Sequence, residues 1–207
     1  MPGTLLPDGI LDELTEAAAY VVSEVAGRAD DTFGLADGPG PSAYVIEHSI
    51  DATVVGLLVG RRLVSSDALE ALGTGLFLQD IGKLALPPAL VRKQGPLAPD
   101  EWDLMRQHPL LGVELLRGDE VPACAKAVVR SHHERWDGSG YPGGLARDEI
   151  PVFARIAAVA DAFDAMTRER YHALAVSPRE GIEMVRAGAG TAFDPTVVDA
   201  FLEVVEP

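Results

Sequence analysis

Apolar residues recur at intervals of three and four along most of this chain and seldom alternate with polar ones. That spacing gathers side chains on one face of an α-helix, whereas a half-buried strand would alternate. LLPDGILDELTEAAAYVVSEVAG predicts an opening helix to about Val25. Gly27–Ser42, rich in Gly, Asp and Pro, predicts a loop or linker. AYVIEHSIDATVVGLLVGRRL predicts a long helix that contains His48. Asp67 and Glu70 have the spacing of a capping pair for the next helix, which runs into GLFLQDIGK.

Breakers mark the remaining elements. ALPPALVRKQGPLAPDE predicts a Pro-rich crossing loop, and Pro99 suits the first turn of a helix over PDEWDLMRQH. Pro109 breaks or kinks that helix just after His108. PACAKAVVRSHH predicts a helix that ends in a turn-rich segment, ERWDGSGYPGGLARDEIP. VFARIAAVADAFDAMTRER is helical, with Asp161 in its interior. Ser177, Pro178 and Glu180 cap a short helix, and Asp194 and Pro195 start the last one. There is no strand alternation and no internal repeat, so the fold class is all-α. Residues 1–42 are expected to be an N-terminal helix and linker, and 43–207 a single domain.

Composition narrows the function. The 207 residues suffice for one domain with a sizeable core. A net charge of −15 repels polyanions, which argues against a nucleic acid polymer as partner. A small phosphorylated ligand remains compatible where metal ions or local Lys and Arg reverse the sign. The single Cys124 excludes an internal disulfide and fits a cytoplasmic protein. No basic region leads an apolar run at the N-terminus, so no secretion signal is expected. Thr53–Gly60 is too short to span a bilayer and runs straight into Arg61 and Arg62, so membrane insertion is not expected.

Several polar residues sit badly in a plain helical core. Gln79 and Asp80 directly follow Leu76, Phe77 and Leu78, and burying an amide beside a carboxylate is costly without partners. His48 and Asp161 lie inside apolar helices, while His108, His132 and His133 lie at helix breaks or ends. One buried histidine is usually a satisfied core residue. Two adjacent ones are harder to place, because neighbours on a helix point about 100° apart and meet one centre only at a helix end or beside a metal pair. Imidazole suits divalent Fe, Zn, Mn and Ni, a carboxylate can bridge two such ions, and a helical bundle can project both inward. The long spacings match no zinc finger.

HHERWDGSGYPGGL (His132–Leu145) closely resembles the signature of HD-GYP domains, a branch of the HD superfamily of metal-dependent phosphohydrolases. Supporting pieces follow in the family's order: HS at His48, Gln79–Pro109, RIAAVADAFDAMT at Arg155–Thr167 and FDP at Phe193–Pro195. The resemblance covers roughly residues 43–205. It implies an HD-domain bundle around a metal centre and hydrolysis of a cyclic dinucleotide, cyclic di-GMP. The implied metal ligands are His48, Asp80, His108, His132, His133 and Asp161, with Asp80 bridging two divalent ions, iron or manganese first and zinc or nickel as alternatives. Lys83 would lie near the scissile phosphate and offset its charge. Gly140, Tyr141 and Pro142 would shape the binding site, and Arg170 would help to hold the ligand. Arg135 and Trp136 divide evenly between ligand contact and packing.

The chain departs from the family at three places. Gln79 stands where the family has a metal-binding His, and a neutral amide oxygen is a poor substitute for imidazole, so one metal position should be weakened. Tyr44 replaces a Glu that some members use for a third metal. Tyr171 and His172 follow Arg170 where the family has Pro and Tyr. Two functions follow: a phosphodiesterase with an altered metal centre, or a catalytically degenerate relative that binds a nucleotide or a signalling protein.

Overall fold

The computed structural model describes residues 41–117, 121–168 and 175–206, with side chains from residue 48 onward. The expected opening helix and nearly all of the linker lie outside the described residues, as do Arg170, Tyr171, His172 and the side chain of Tyr44. The described residues are helical, with two isolated bridges, Asp137 to Ala146 and Ala189 to Phe193, as their extended pairing. No helix among them is long and apolar enough to cross a membrane.

The elements follow the apolar spacing. Helix α1 spans Pro41–Leu63, so it starts two residues inside the segment read as linker. A 3₁₀ turn at Ser66–Ala68 leads into α2, Leu69–Leu78. The expected Asp67/Glu70 cap does not form: Asp67 lies within the 3₁₀ turn, and Ala68 takes the N-cap position with no side-chain hydrogen bond. A 3₁₀ helix at Ile81–Ala85 leads into the Pro-rich crossing, which is more ordered than its composition suggests and holds a one-turn α3 at Pro88–Val91. Helix α4 is Pro99–Met105 and α5 is His108–Leu115, with Pro109 in the first turn of α5. Pro109 therefore helps to open a new helix rather than kinking the old one, since a first-turn proline forfeits no helical hydrogen bond. Helices α6 (Ala123–Ser131), α7 (Val152–Thr167), α8 (Pro178–Ala187) and α9 (Pro195–Val205) complete the chain. Ser177 and Glu180 form the expected capping box of α8, and Asp194 caps α9 by accepting from the Thr196 N–H.

Helix α7 is central and packs on α1, α6, α8 and α9, while α2 packs on α1 and α6. Small residues at Ala154, Ala157 and Ala160 let neighbours approach, and Phe153, Ile156, Val159 and Phe163 fill the space between them. A second apolar cluster joins Phe77, Leu78 and Ile81 to Leu116, Val121, Ala125 and Val129. It ties the end of α2 to α5 and α6. One close approach sets this geometry. A Cβ on Gly82 would sit 1.9 Å from the His108 carbonyl oxygen and 2.5 Å from the Gly112 nitrogen. Only glycine permits that contact, and it brings the turn after Asp80 against the first turn of α5.

Candidate metal centre

Asp80 lies where α2 stops. Gln79 is still helical, and Asp80 turns to φ −98°, ψ 6° before the 3₁₀ helix begins. This sparsely populated backbone region is a frequent setting for active-site residues. The Asp80 carboxylate is buried and divides its two oxygens between two groups. Oδ1 lies 3.3 Å from His108 Nε2 and 3.8 Å from His132 Nε2. Oδ2 lies 3.6 Å from His48 Nε2 and accepts from Lys83 Nζ at 2.5 Å. His48 Nε2 in turn meets Asp161 Oδ1 at 3.1 Å.

The histidines are oriented from behind. His108 Nδ1 is 2.8 Å from the Met105 carbonyl, and His132 Nδ1 is 3.1 and 3.2 Å from the Val129 and Val128 carbonyls. A carbonyl only accepts, so each Nδ1 carries the hydrogen, and in the neutral ring that leaves Nε2 with the lone pair. Those two Nε2 atoms are 3.3 Å apart and both face Asp80 Oδ1, which accepts no hydrogen bond of regular geometry. Three electron-pair donors converging in a buried space repel one another unless a cation sits between them. Asp80, His108, His132 and His133 each direct a ligand atom to within 4.8 Å of the others. The donor set fits a divalent transition metal.

The electrostatics agree with this division. Burial disfavours the charged forms of His108 and His133, pushing the first down to about 4 and the second well below its usual value. Neutral imidazole is the ligating form. Burial also opposes ionisation of Asp80, yet Lys83 and the surrounding imidazoles hold its carboxyl well below the usual range. At His48 burial works against protonation too, but hydrogen bonds to Asp161 and Asp164 outweigh it and raise the pKa to about 9. His48, Asp80 and Asp161 thus form a second group that shares Asp80 with the first.

The turn after α6 folds back over the centre. His132 is the C-cap of α6, and His133 lies just beyond it, as the helix-end argument requires. The Tyr141 N–H donates to the His133 carbonyl at 3.2 Å, and the Tyr141 ring stacks on the His133 ring at 4.8 Å. A Cβ on Gly140 would stand 2.3 Å from the Arg135 nitrogen, so the turn packs backbone to backbone only because that residue is glycine. The Tyr141–Pro142 peptide is cis. Burial and the Asp161 and Asp80 charges raise the Tyr141 pKa. Arg135 bonds Ser139 at 2.9 Å within its own turn, and the Trp136 ring packs under Arg155, 5.5 Å from its centroid.

Four residues with evident work at this centre were not singled out from the sequence. Asp164 Oδ2 is 2.5 Å from His48 Nδ1. Arg168 pairs with Asp164 at 3.3 Å and with the buried Asp51. The buried Glu134 accepts from the Gly143 N–H at 2.6 Å and the Leu145 N–H at 3.0 Å, anchoring the turn. A second acid three residues after Asp161, on the same face of an apolar helix, was the available signal for Asp164. Gln79 is fully buried, and neither amide atom has a hydrogen-bond partner among the described residues.

Comparison with known proteins follows the same lines. The HD domain model matches residues 50–197. A probable cyclic di-GMP phosphodiesterase of Vibrio cholerae is 34% identical over 205 residues, covering 94% of this chain and 45% of that protein. A cyclic di-GMP phosphodiesterase response regulator of Xanthomonas campestris is 40% identical over 195 residues, covering 93% and 49%. The chain spans about half the length of the curated relatives it matches. Among solved structures, a cyclic GMP-AMP specific phosphodiesterase of V. cholerae aligns with a TM-score of 0.62 at 21% identity, covering 93% of this chain and 49% of that one. An HDG"Y"P protein from Bdellovibrio bacteriovorus aligns with a TM-score of 0.68 at 16% identity, covering 95% and 63%. These two likenesses concern the fold. With a family model spanning most of the described helices, the chain belongs to the HD-domain family, of which the HD-GYP proteins that its sequence resembles are one branch.

Proposed function

We propose that this chain is a metal-dependent phosphodiesterase of the HD-GYP type that hydrolyses a cyclic dinucleotide, cyclic di-GMP, in second-messenger signalling in the cytoplasm. The observation that carries the reading is Asp80, whose two oxygens serve two separate donor groups. His108, His132 and His133 would hold one divalent ion with Asp80, and His48 and Asp161 the other, with iron or manganese as the best match to the mixed imidazole and carboxylate set. Such ions supply Lewis acidity and a nucleophilic water at neutral pH.

The chain's own residues contribute positioning and charge. Lys83, half-buried and 2.5 Å from Asp80, places an ammonium beside the shared carboxylate, where it offsets charge that develops on a phosphate. The carbonyl contacts behind His108 and His132 hold their rings in one orientation and one tautomer. Tyr141, fixed by Gly140 and by its stack on His133, closes one side of the site, with Pro142 beside it. Arg135 and Arg170 remain proposed ligand contacts.

A second reading is favoured by Gln79. Its buried amide beside Asp80 adds no imidazole, which supports a catalytically degenerate domain that binds a nucleotide or a signalling protein. Metal content of protein purified without chelators, measured beside cyclic di-GMP hydrolysis, separates the two. Two bound ions with turnover support the enzyme. Nucleotide binding without turnover at full metal loading supports the binding module. Absence of both metal and nucleotide binding overturns the proposal.

A further inference from the structure

Most cations near the candidate centre are paired with an acid: Lys83 with Asp80, Arg135 with Asp137, Arg155 with Asp194, and Arg168 with Asp51 and Asp164. Arg106 is not. Among the described residues no carboxylate lies within ion-pair distance of it, in a chain whose net charge is −15. Its guanidinium carbon instead lies 5.6 Å from the Tyr141 ring centroid and 6.0 Å from that of Trp102. Trp102 is 46% exposed, and Arg106 is exposed as well. Tyr141 stacks on His133, so a continuous ladder runs outward from the donor cluster: His133, Tyr141, Arg106, Trp102. Helix α4 ends at Met105, and Arg106 takes its C-cap position two residues before His108, so the ladder is tied to a donor by the backbone as well.

A guanidinium between two rings is ordered without being neutralised. Its planar fork keeps donors free at the edges, where a phosphate can be taken by two parallel hydrogen bonds. An exposed indole beside it offers a face to a purine. A cyclic dinucleotide needs both features, because it carries a second phosphate and two bases beyond the scissile diester. Resting on the phosphodiesterase reading above, we infer that Arg106 and Trp102 form a ligand subsite outside the metal centre: Arg106 takes the second phosphate of the cyclic dinucleotide, and Trp102 stacks a purine.

The test compares Arg106→Ala, Arg106→Lys and Trp102→Ala with the parent protein. Steady-state kinetics are measured on cyclic di-GMP and on bis(p-nitrophenyl) phosphate, a diester with neither second phosphate nor purine. Equilibrium binding of cyclic di-GMP is measured on the same metal-loaded samples, and melting temperatures confirm folding. Arg106→Ala should weaken binding, and raise KM, for cyclic di-GMP by about tenfold or more, the scale of a lost charge-assisted contact. Its loss on the small diester should be far less, and Arg106→Lys should recover only part of the affinity. Equal losses on the two substrates, or unchanged affinity for cyclic di-GMP in both alanine variants, would overturn the subsite. A parent protein that neither binds nor cleaves cyclic di-GMP overturns the phosphodiesterase reading itself, and the subsite with it.

Discussion

His48 Nδ1 lies 2.5 Å from Asp164 Oδ2 while His48 Nε2 lies 3.1 Å from Asp161 Oδ1, so one imidazole is held between two acids from successive turns of α7. The Asp164 carboxylate is buried and backed by Arg168, which also pairs with Asp51 on α1. A carboxylate behind a ligating histidine fixes the tautomer and raises the basicity of the ring. Asp164 thus orients the His48 ring, and under the metal-ligand role proposed for His48 it is that ligand's positioning residue.

Asp164→Asn preserves the shape and removes the charge. It should lower metal affinity or turnover by roughly 10–100-fold, the usual cost of losing a partner behind a metal ligand. The site built on His108, His132 and His133 should keep its ion. Metal titration of the variant at constant melting temperature checks this, and parent-like affinity at both positions would refute it.

Gln79→His should raise hydrolysis of cyclic di-GMP by about tenfold or more, because even outer contacts of a metal site are worth that much. The buried amide is unpartnered among the described residues, so its replacement breaks no hydrogen bond there. Assays with and without excess Mn²⁺ or Fe²⁺ should show the largest gain at low metal. A variant that binds two ions and the nucleotide yet hydrolyses nothing would make the binding-module reading the better one.

Gly82→Ala should be among the most damaging single changes. The added methyl would meet backbone atoms of His108 and Gly112, which have no rotamer to escape by. Overpacking of this kind costs about 1–3 kcal/mol and occasionally more. Chemical denaturation should show the loss, and the metal content of the folded fraction should fall too, since α5 carries His108. A stable variant with full metal loading would contradict the close approach.

Glu134→Ala strands the Gly143 and Leu145 N–H groups that its carboxylate now accepts. Unpartnered donors of this kind cost about 1–3 kcal/mol when buried, and less where water reaches them. The larger effect should fall on ligand binding, because Glu134 holds the turn that places Tyr141. Cyclic di-GMP affinity is expected to drop while metal content stays at the parent level. An equal drop in both would point to general unfolding of the centre instead.

Much of this architecture is local and could be read along the chain. Apolar spacing predicts the helices, Ser177 and Glu180 cap α8 as their spacing requires, and the adjacent His132 and His133 point to a helix end. These features depend on neighbours three or four residues apart, where backbone geometry leaves little choice. The Asp67/Glu70 pair shows the limit of such signals, because the chain enters a 3₁₀ turn there and leaves the cap unused.

Tertiary structure decided how the polar residues divide. His48 and Asp164 are 116 positions apart, and their contact depends on how α1 crosses α7. The His108 approach to Asp80 depends on Gly82 allowing two backbones to touch. Asp51, Arg168 and Glu134 look like ordinary surface charges in the sequence, and packing buries the two acids and sets Arg168 against Asp51. The chain alone determined that it would be a helical protein with acids and imidazoles to spare. Long-range packing chose which of them would face one another, because a buried charge is tolerated only where another element supplies its partner.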